Sequence, residues 1–209
     1  PAALGAALLS RPDARHLLLL GTGRIARLLP AALRCVRPQL TRVTVWNHRP
    51  EGARQLAAQL ATEGFETDTV EDLDAAARQA DIISAATLAT SPLLHGDALP
   101  AGVHVDLVGS FTPQMREADG RCFARAEVWL DQREGLQKSG DLLDAMAEGH
   151  LDEGQVRGTL ADLCRTGPPT RAAGAITLFK AVGSALADLA CKAMLWSVVR
   201  WPQLSRASR

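Results

Sequence analysis

The sequence has no surplus of charge: 23 Lys and Arg face 23 Asp and Glu, and no basic block is longer than a residue or two. Nucleic acid and anionic membrane are held by clustered Lys and Arg, so neither is expected as a partner. Cysteine is sparse, and Cys35, Cys122, Cys164 and Cys191 form no C-x-x-C pair. That pattern reads as reduced thiols in a cytoplasmic protein. The histidines His16, His48, His95, His104 and His150 show no metal-ligand spacing, and no metal is assigned. The stretch AALGAALL is too short to span a bilayer and lacks a basic lead-in, so it reads as a short helix over Ala2 to Ser10 of a soluble protein. What is there is 47% hydrophobic content in 209 residues, enough for one large domain or for one domain with a smaller appendage.

The most informative stretch is HLLLLGTGRIARLLP, His16 to Pro30. Four leucines stop at a glycine-spaced turn and a helical pattern starts at once. Gly21, Gly23 and Ala26 stand in the G-x-G-x-x-G/A spacing: a tight turn, a point of close approach for a pyrophosphate, and a small residue for helix–strand packing. The turn Gly21, Thr22, Gly23, Arg24, Ile25 then presents backbone N–H groups to a dinucleotide at a helix N-terminus.

Strands and helices alternate from there. A helix is expected over Arg24 to Val36, a strand over Thr41 to Trp46, a helix over Glu51 to Ala61 behind Pro50, and a strand over Phe65 to Val70. A helix over Glu71 to Ala80, a strand over Asp81 to Ala86 and a strand over Val103 to Val108 follow, separated by a long irregular connection, TLATSPLLHGDALPAG. Glu127 to Asp131 reads as a sixth strand, Gln132 to Glu148 as a helix interrupted at Ser139-Gly140, and Leu151 to Arg171 as loop with a helical turn. Ile176 to Phe179 starts the last element, and Gly183 to Val199 reads as a long apolar helix. The alternation predicts an α/β fold, a Rossmann-type doubly wound parallel sheet whose ligands sit at the carboxyl ends of the strands. At the end of the second strand stand Asn47, His48 and Arg49, where NAD-preferring folds carry an acid. Asn47 can donate to a 2′-phosphate and Arg49 can pair with it, which makes NADPH the expected cofactor and NADH the alternative; Arg49 can also be read as a solvated residue ahead of Pro50.

Several of these runs carry a resemblance. GTGRIA, VWNHR, ADIISAAT with SPLL, VHVDLVGSFTPQMREAD, VWLD with SGDL, and ITLFKAVGSALADLA resemble, in order and over nearly the whole chain, the ornithine cyclodeaminase/μ-crystallin family. GSFTPQMREAD is similar above all to the bacterial reductases of Δ1-pyrroline-2-carboxylate and Δ1-piperideine-2-carboxylate. The resemblance implies NAD(P)H-dependent reduction of a cyclic imino acid to L-proline or L-pipecolate. It also keeps in play another family activity, ornithine cyclodeaminase or amino-acid dehydrogenase, and a crystallin-like dinucleotide-binding protein without turnover.

Three departures from the family pattern bear on that choice. Cyclodeaminases that act on ornithine carry a catalytic Asp two residues past the loop glycine and a Lys four beyond it; here those positions are Phe111 and Met115. Neither can handle the protons of an ammonia-releasing cyclisation, whereas reduction of a protonated imine asks for hydride delivery in the right geometry. Ala181 stands where the family commonly has Ser near the nicotinamide. Family members also carry an N-terminal domain that holds the substrate carboxylate with basic residues and forms much of a homodimer contact. On that basis residues 1–13 are expected to link to a substrate and dimerisation domain, 14–155 to form the dinucleotide-binding domain, and 156–209 to return towards the substrate domain. The chain as given is expected to keep most of the nucleotide site and little of the substrate site.

The remaining polar residues have two readings each. The resemblance puts Thr87 at the nicotinamide-side ribose and Val108, Gly109 and Ser110 along the cofactor, while a strand-end Thr also commonly satisfies a turn. Phe111 is either an apolar wall beside the nicotinamide or a plug under its turn. Lys180 meets substrate or phosphate, or is a solvated lysine at a helix start. Asp106 faces the crevice, or is buried and bonded to loop amides. Glu117 and Asp119 read as capping or pairing residues, and Asp81 lies at the end of its strand away from any chemistry.

Overall fold

The computed structural model describes residues 1–183 and Leu189. In chain order the elements are α1 (Ala2–Leu9), β1 (His16–Leu20), α2 (Arg24–Val36), β2 (Arg42–Trp46), α3 (Pro50–Thr62), β3 (Glu66–Thr69), α4 (Leu73–Ala77), β4 (Ile82–Ala85), β5 (Thr90–Leu94), β6 (His104–Leu107), β7 (Arg116–Ala118), α5 (Gly120–Arg125), β8 (Ala126–Leu130), α6 (Gly140–Ala147), β9 (Gly158–Thr159), α7 (Leu160–Thr166) and β10 (Ile176–Lys180). Eight strands form one sheet in the order β3-β2-β1-β4-β6-β10-β8-β9, and every pairing within it is parallel. The chain winds outward from β1 to β3, then crosses back to β4 and proceeds the other way, so the order reverses between β1 and β4. A parallel sheet must be covered on both faces, and β1 is buried at all five positions. Leu18 and Leu20 enter one apolar cluster with Ile83, Val105 and Leu178; Leu17 and Leu19 enter another with Val43, Val45 and Leu56.

The expected alternation is present up to β6, with differences that have physical causes. The connection after Thr87 is not wholly irregular: β5 pairs in parallel with β7 in a separate two-stranded sheet. Pro92 within β5 breaks the strand pattern that sequence reading relies on. The helix expected over 71–80 shortens to α4, capped by the Asp72 carboxylate, which accepts from the Ala75 N–H. The interrupted helix is a 3₁₀ turn over Arg133–Gln137 followed by α6. The element begun at Ile176 is a full strand set between β6 and β8, so the sheet runs on past residue 155 to Lys180. The helix expected over 183–199 lies outside the described residues.

Helix α1 packs on α2, β6 and β10, and its carboxyl end is tied down by one side chain. The nearly buried Arg37 guanidinium donates to the carbonyls of Ala6, Ala7, Ser10 and Arg11, satisfying acceptors that a helix end leaves open. Inside the sheet, two polar rungs cross from strand to strand: Ser84 on β4 donates to Asp106 on β6 at 2.7 Å, and His104 on β6 bonds Thr177 on β10 at 2.9 Å. Asp106 is fully buried as one reading expected, but its partner is a hydroxyl on the neighbouring strand, not loop amides. Burial pushes its carboxyl up to about 7 and the His104 imidazole down to about 3.

Two predictions follow from these contacts. Arg37→Met keeps the aliphatic stem and deletes the donors, and is expected to cost about 2–4 kcal/mol in urea unfolding; a loss under about 1 kcal/mol would show that the latch does not stabilise the fold. For Asp106 the folded state holds a proton that the unfolded chain releases between about pH 4 and 7, so its contribution to stability falls as pH rises through that window. His104 acts in the opposite sense in parent and variant alike. Asp106→Asn is therefore expected to gain on the parent by on the order of 2–4 kcal/mol between pH 4 and 7, and parallel stability curves would refute it.

Candidate functional site

The crevice where the strand order reverses lies beyond Leu20 of β1 and Ala85 of β4. Backbone pairing continues one step past the strands, Gly21 N–H to Trp46 and Ala86 N–H to Leu20, before the loops diverge. Gly21 has φ +99, and a Cβ there would stand 2.6 Å from the Ala86 carbonyl oxygen, so both conformation and space require glycine. Gly23 is the N-cap of α2. No side chain caps this helix and no acid lies in its first turn. Among the described residues a Cβ built on Gly23 meets nothing within 4 Å, so the backbone at the helix start is open to approach. An anion fits there, held by amides and by the positive end of the helix dipole.

Beyond β2, Asn47 folds its side-chain amide back to the Arg49 carbonyl at 3.0 Å, which fixes the turn Asn47-His48-Arg49 and spends one of its donors. His48 and Arg49 are exposed. The acid in the first turn of α3, Glu51, is engaged by Arg54 and Gln55, and among the described residues neither Arg24 nor Arg49 forms an ion pair. This end of the crevice therefore presents two uncommitted guanidinium groups.

The other end is built over a buried cluster of charge. Thr87, just past β4, donates both its N–H (2.6 Å) and its hydroxyl (2.8 Å) to Glu117. The Glu117 carboxylate also lies against the α-carbon of Gly109, where any Cβ would collide with it and with the Thr87 carbonyl. Ser110 is held at φ 51; its hydroxyl donates to the Met115 carbonyl and accepts the Asp141 N–H from the start of α6. Asp141 accepts the N–H groups of Glu117 and Ala118. Lys180, fully buried at the end of β10, donates to the carbonyls of Leu107 and Gly109 and lies 3.7 Å from the Asp141 carboxylate. Burial lowers the ammonium pKa and raises those of Glu117 and Asp141; each opposite charge works against that shift.

The candidate residues thus separate into two groups. Gly23, Arg24, Ile25, His48, Arg49 and Phe111 face solvent around the crevice, and Thr22, Asn47, Thr87 and Val108 are half-buried at its margin. Phe111, 48% exposed, is not a plug under its turn. Ser110 and Lys180, considered as substrate or nicotinamide contacts, are enclosed and committed to protein partners. Lys180 is not a solvated lysine at a helix start; it closes a central strand. Asp119 caps α5 by accepting the Cys122 N–H and also binds the Gly96 N–H, and Asp81 pairs with Arg11 and the amides of Arg15 and His16 at the amino end of the sheet. Asp141, and Ser139 whose hydroxyl lies 3.2 Å from that of Ser110, were not read as site residues, although Ser139-Gly140-Asp141 before two leucines is a helix-start signal. Among the described residues there is no group of three His, Cys, Asp or Glu placed to hold a metal, and no helix long and apolar enough to cross a membrane. Cavities of about 250 Å³ beside His16 and Thr44, and about 520 Å³ beside Glu127 and His150, lie away from the crevice.

Comparison with known proteins agrees with this geometry. A Δ1-pyrroline-2-carboxylate reductase of Paracoccus denitrificans is 45% identical over 190 residues, 89% of this chain and 60% of its own length. The structure of the Thermococcus litoralis Δ1-pyrroline-2-carboxylate reductase, in complex with NADH and L-proline, matches with a TM-score of 0.83 at 30% identity, over 87% of this chain and 57% of that one. The iminosuccinate reductase of Paracoccus denitrificans in complex with NAD+ matches with a TM-score of 0.83 at 29% identity, over 91% and 58%. The chain spans about 60% of the length of the curated relatives it matches. The ornithine cyclodeaminase/mu-crystallin family matches residues 1–200, and with the switch-point crevice and the glycine turn in place, the chain belongs to that family.

Proposed function

We propose that this chain carries the dinucleotide-binding part of an NAD(P)H-dependent reductase of cyclic ketimines, acting on Δ1-pyrroline-2-carboxylate or Δ1-piperideine-2-carboxylate. The observation that carries this reading is Phe111. In the crevice loop where a cyclodeaminase needs a carboxylate stands an exposed phenyl ring, and where it needs a lysine stands Met115. An apolar ring suits the flat hydrocarbon face of a cyclic imine and offers no base for amine chemistry. The relatives named as Δ1-pyrroline-2-carboxylate reductases support the same substrate class.

When bound, the dinucleotide supplies the hydride. The chain's own residues do the rest of the work assigned to them: the amides of the Gly23–Ile25 turn receive the pyrophosphate, and the Thr87 hydroxyl, its proton given to Glu117, offers lone pairs to a ribose hydroxyl. Phe111 excludes water from one side of the reacting ring. The 2′-phosphate of NADPH is taken by Arg49, with Asn47 as second donor, which makes NADPH the preferred cofactor in this reading. The parts of the relatives that this chain does not span are where we place the basic clamp for the substrate carboxylate and the homodimer contact.

Two measurements test the proposal. The product of the complete gene is expected to reduce Δ1-pyrroline-2-carboxylate with NADPH and to release no ammonia from ornithine; ammonia release without added reductant would overturn the reductase reading. Arg49→Ala is expected to weaken NADPH binding about ten- to a hundredfold, the equivalent of a charge-assisted hydrogen bond of about 1.5–3 kcal/mol, and to change NADH binding much less. Fluorescence titration at fixed ionic strength reads both affinities. An equal loss for the two cofactors, or a parent chain that prefers NADH, would show that this strand end does not read the 2′-phosphate.

A further inference from the structure

We propose that Lys180 is a positioning residue for the nicotinamide side of the crevice: from beneath the carboxyl edge of the sheet it fixes the backbone of Gly109 and so sets the direction of Phe111. The inference rests on the dinucleotide reading above. In register with Lys180 on the neighbouring strands stand Leu107 and Leu130, both fully buried. A position that served packing alone would take a leucine here too. The lysine instead brings an ammonium into a dry interior, at a cost that only good donor geometry offsets. Its donors go to the Leu107 carbonyl at 3.2 Å, to the Gly109 carbonyl and towards Asp141.

The Gly109 carbonyl is the one that needs such a partner. At Val108 the β6 backbone is still paired, its N–H bonded to Ala85, while one residue later the chain has left the ladder and turns into the left-handed Ser110. A left-handed non-glycine residue is strained and persists only where its surroundings hold it. Ser110 is held through its hydroxyl by Met115 and by the start of α6, and the residue before it is held through its carbonyl by Lys180. Phe111 follows directly and among the described residues has no such ties of its own, so its placement is inherited from this turn. The same cluster reaches Thr87 through Glu117, whose carboxylate lies against Gly109. Lys180 is closed off from solvent; it acts through the backbone it holds.

The test uses two ligands that differ only by the nicotinamide: NADPH, and 2′-phospho-ADP-ribose. In the Lys180→Met chain, NADPH affinity is expected to fall about tenfold while that of 2′-phospho-ADP-ribose stays within about twofold of the parent. A general loss of structure would weaken both together. Circular dichroism and thermal melts establish that the variant is folded; should the unbalanced Asp141 carboxylate unfold it, the Lys180→Met/Asp141→Asn chain, which removes that charge, is titrated instead with the same expectation. Equal losses for the two ligands, or no loss for either, would overturn the positioning role and leave dinucleotide binding standing. A parent chain that binds neither ligand would overturn the dinucleotide reading and this inference with it.

Discussion

Charge enclosed away from water is the constraint on which the carboxyl edge of this sheet depends. Asp106, Glu117, Asp141 and Lys180 are all buried, and each must find its partners within the protein or forfeit its charge. Their partners are largely backbone groups at strand ends and helix starts: the amides of Thr87, Glu117 and Ala118, and the carbonyls of Leu107 and Gly109. Satisfying the charges therefore fixes the loops. The surface of the crevice is shaped from behind, by groups closed off from solvent.

The two ends of the crevice are built on opposite logic. On the side of β2 the useful groups are exposed and uncommitted: the open helix start at Gly23, and the guanidinium groups of Arg24 and Arg49. Such groups suit mobile, well-hydrated phosphates, which exchange water for ready donors at small reorganisation cost. On the side of β6 the polar groups are spoken for internally, and what faces outward is Phe111. An exposed phenyl ring suits the flat face of an apolar ligand ring.

Much of this was legible from sequence where the signal is local. The buried strand β1, the glycine turn and α2 lie within a single run of residues, and their periods and spacings are printed there. The β5–β7 pair was not, because Pro92 interrupts β5 and its partner strand is three residues long. Lys180 was misread for a different reason. Its meaning depends on Leu107 and Gly109, 73 and 71 residues earlier in the chain, and nothing near Lys180 tells a buried lysine at a strand end from a solvated one. Phe111 was legible as a departure from a family pattern; that it stands exposed required the fold.

The insertion of β10 between β6 and β8 has a consequence for how the protein comes to be made. While a ribosome is still synthesising residues 1–175, the sheet lacks its middle. β6 then carries one unpaired edge beyond β4, and β8 has only the two-residue β9 beside it. Both are parallel-type strands, largely buried in the finished sheet, with open hydrogen-bonding groups, the kind of edge that recruits other chains. Closure waits for a strand that pairs with residues roughly seventy positions earlier, and such non-local pairing is slow. The nascent chain thus passes through a long interval in which its first half can be complete and its sheet still split in two, the interval in which a holding chaperone has most to protect.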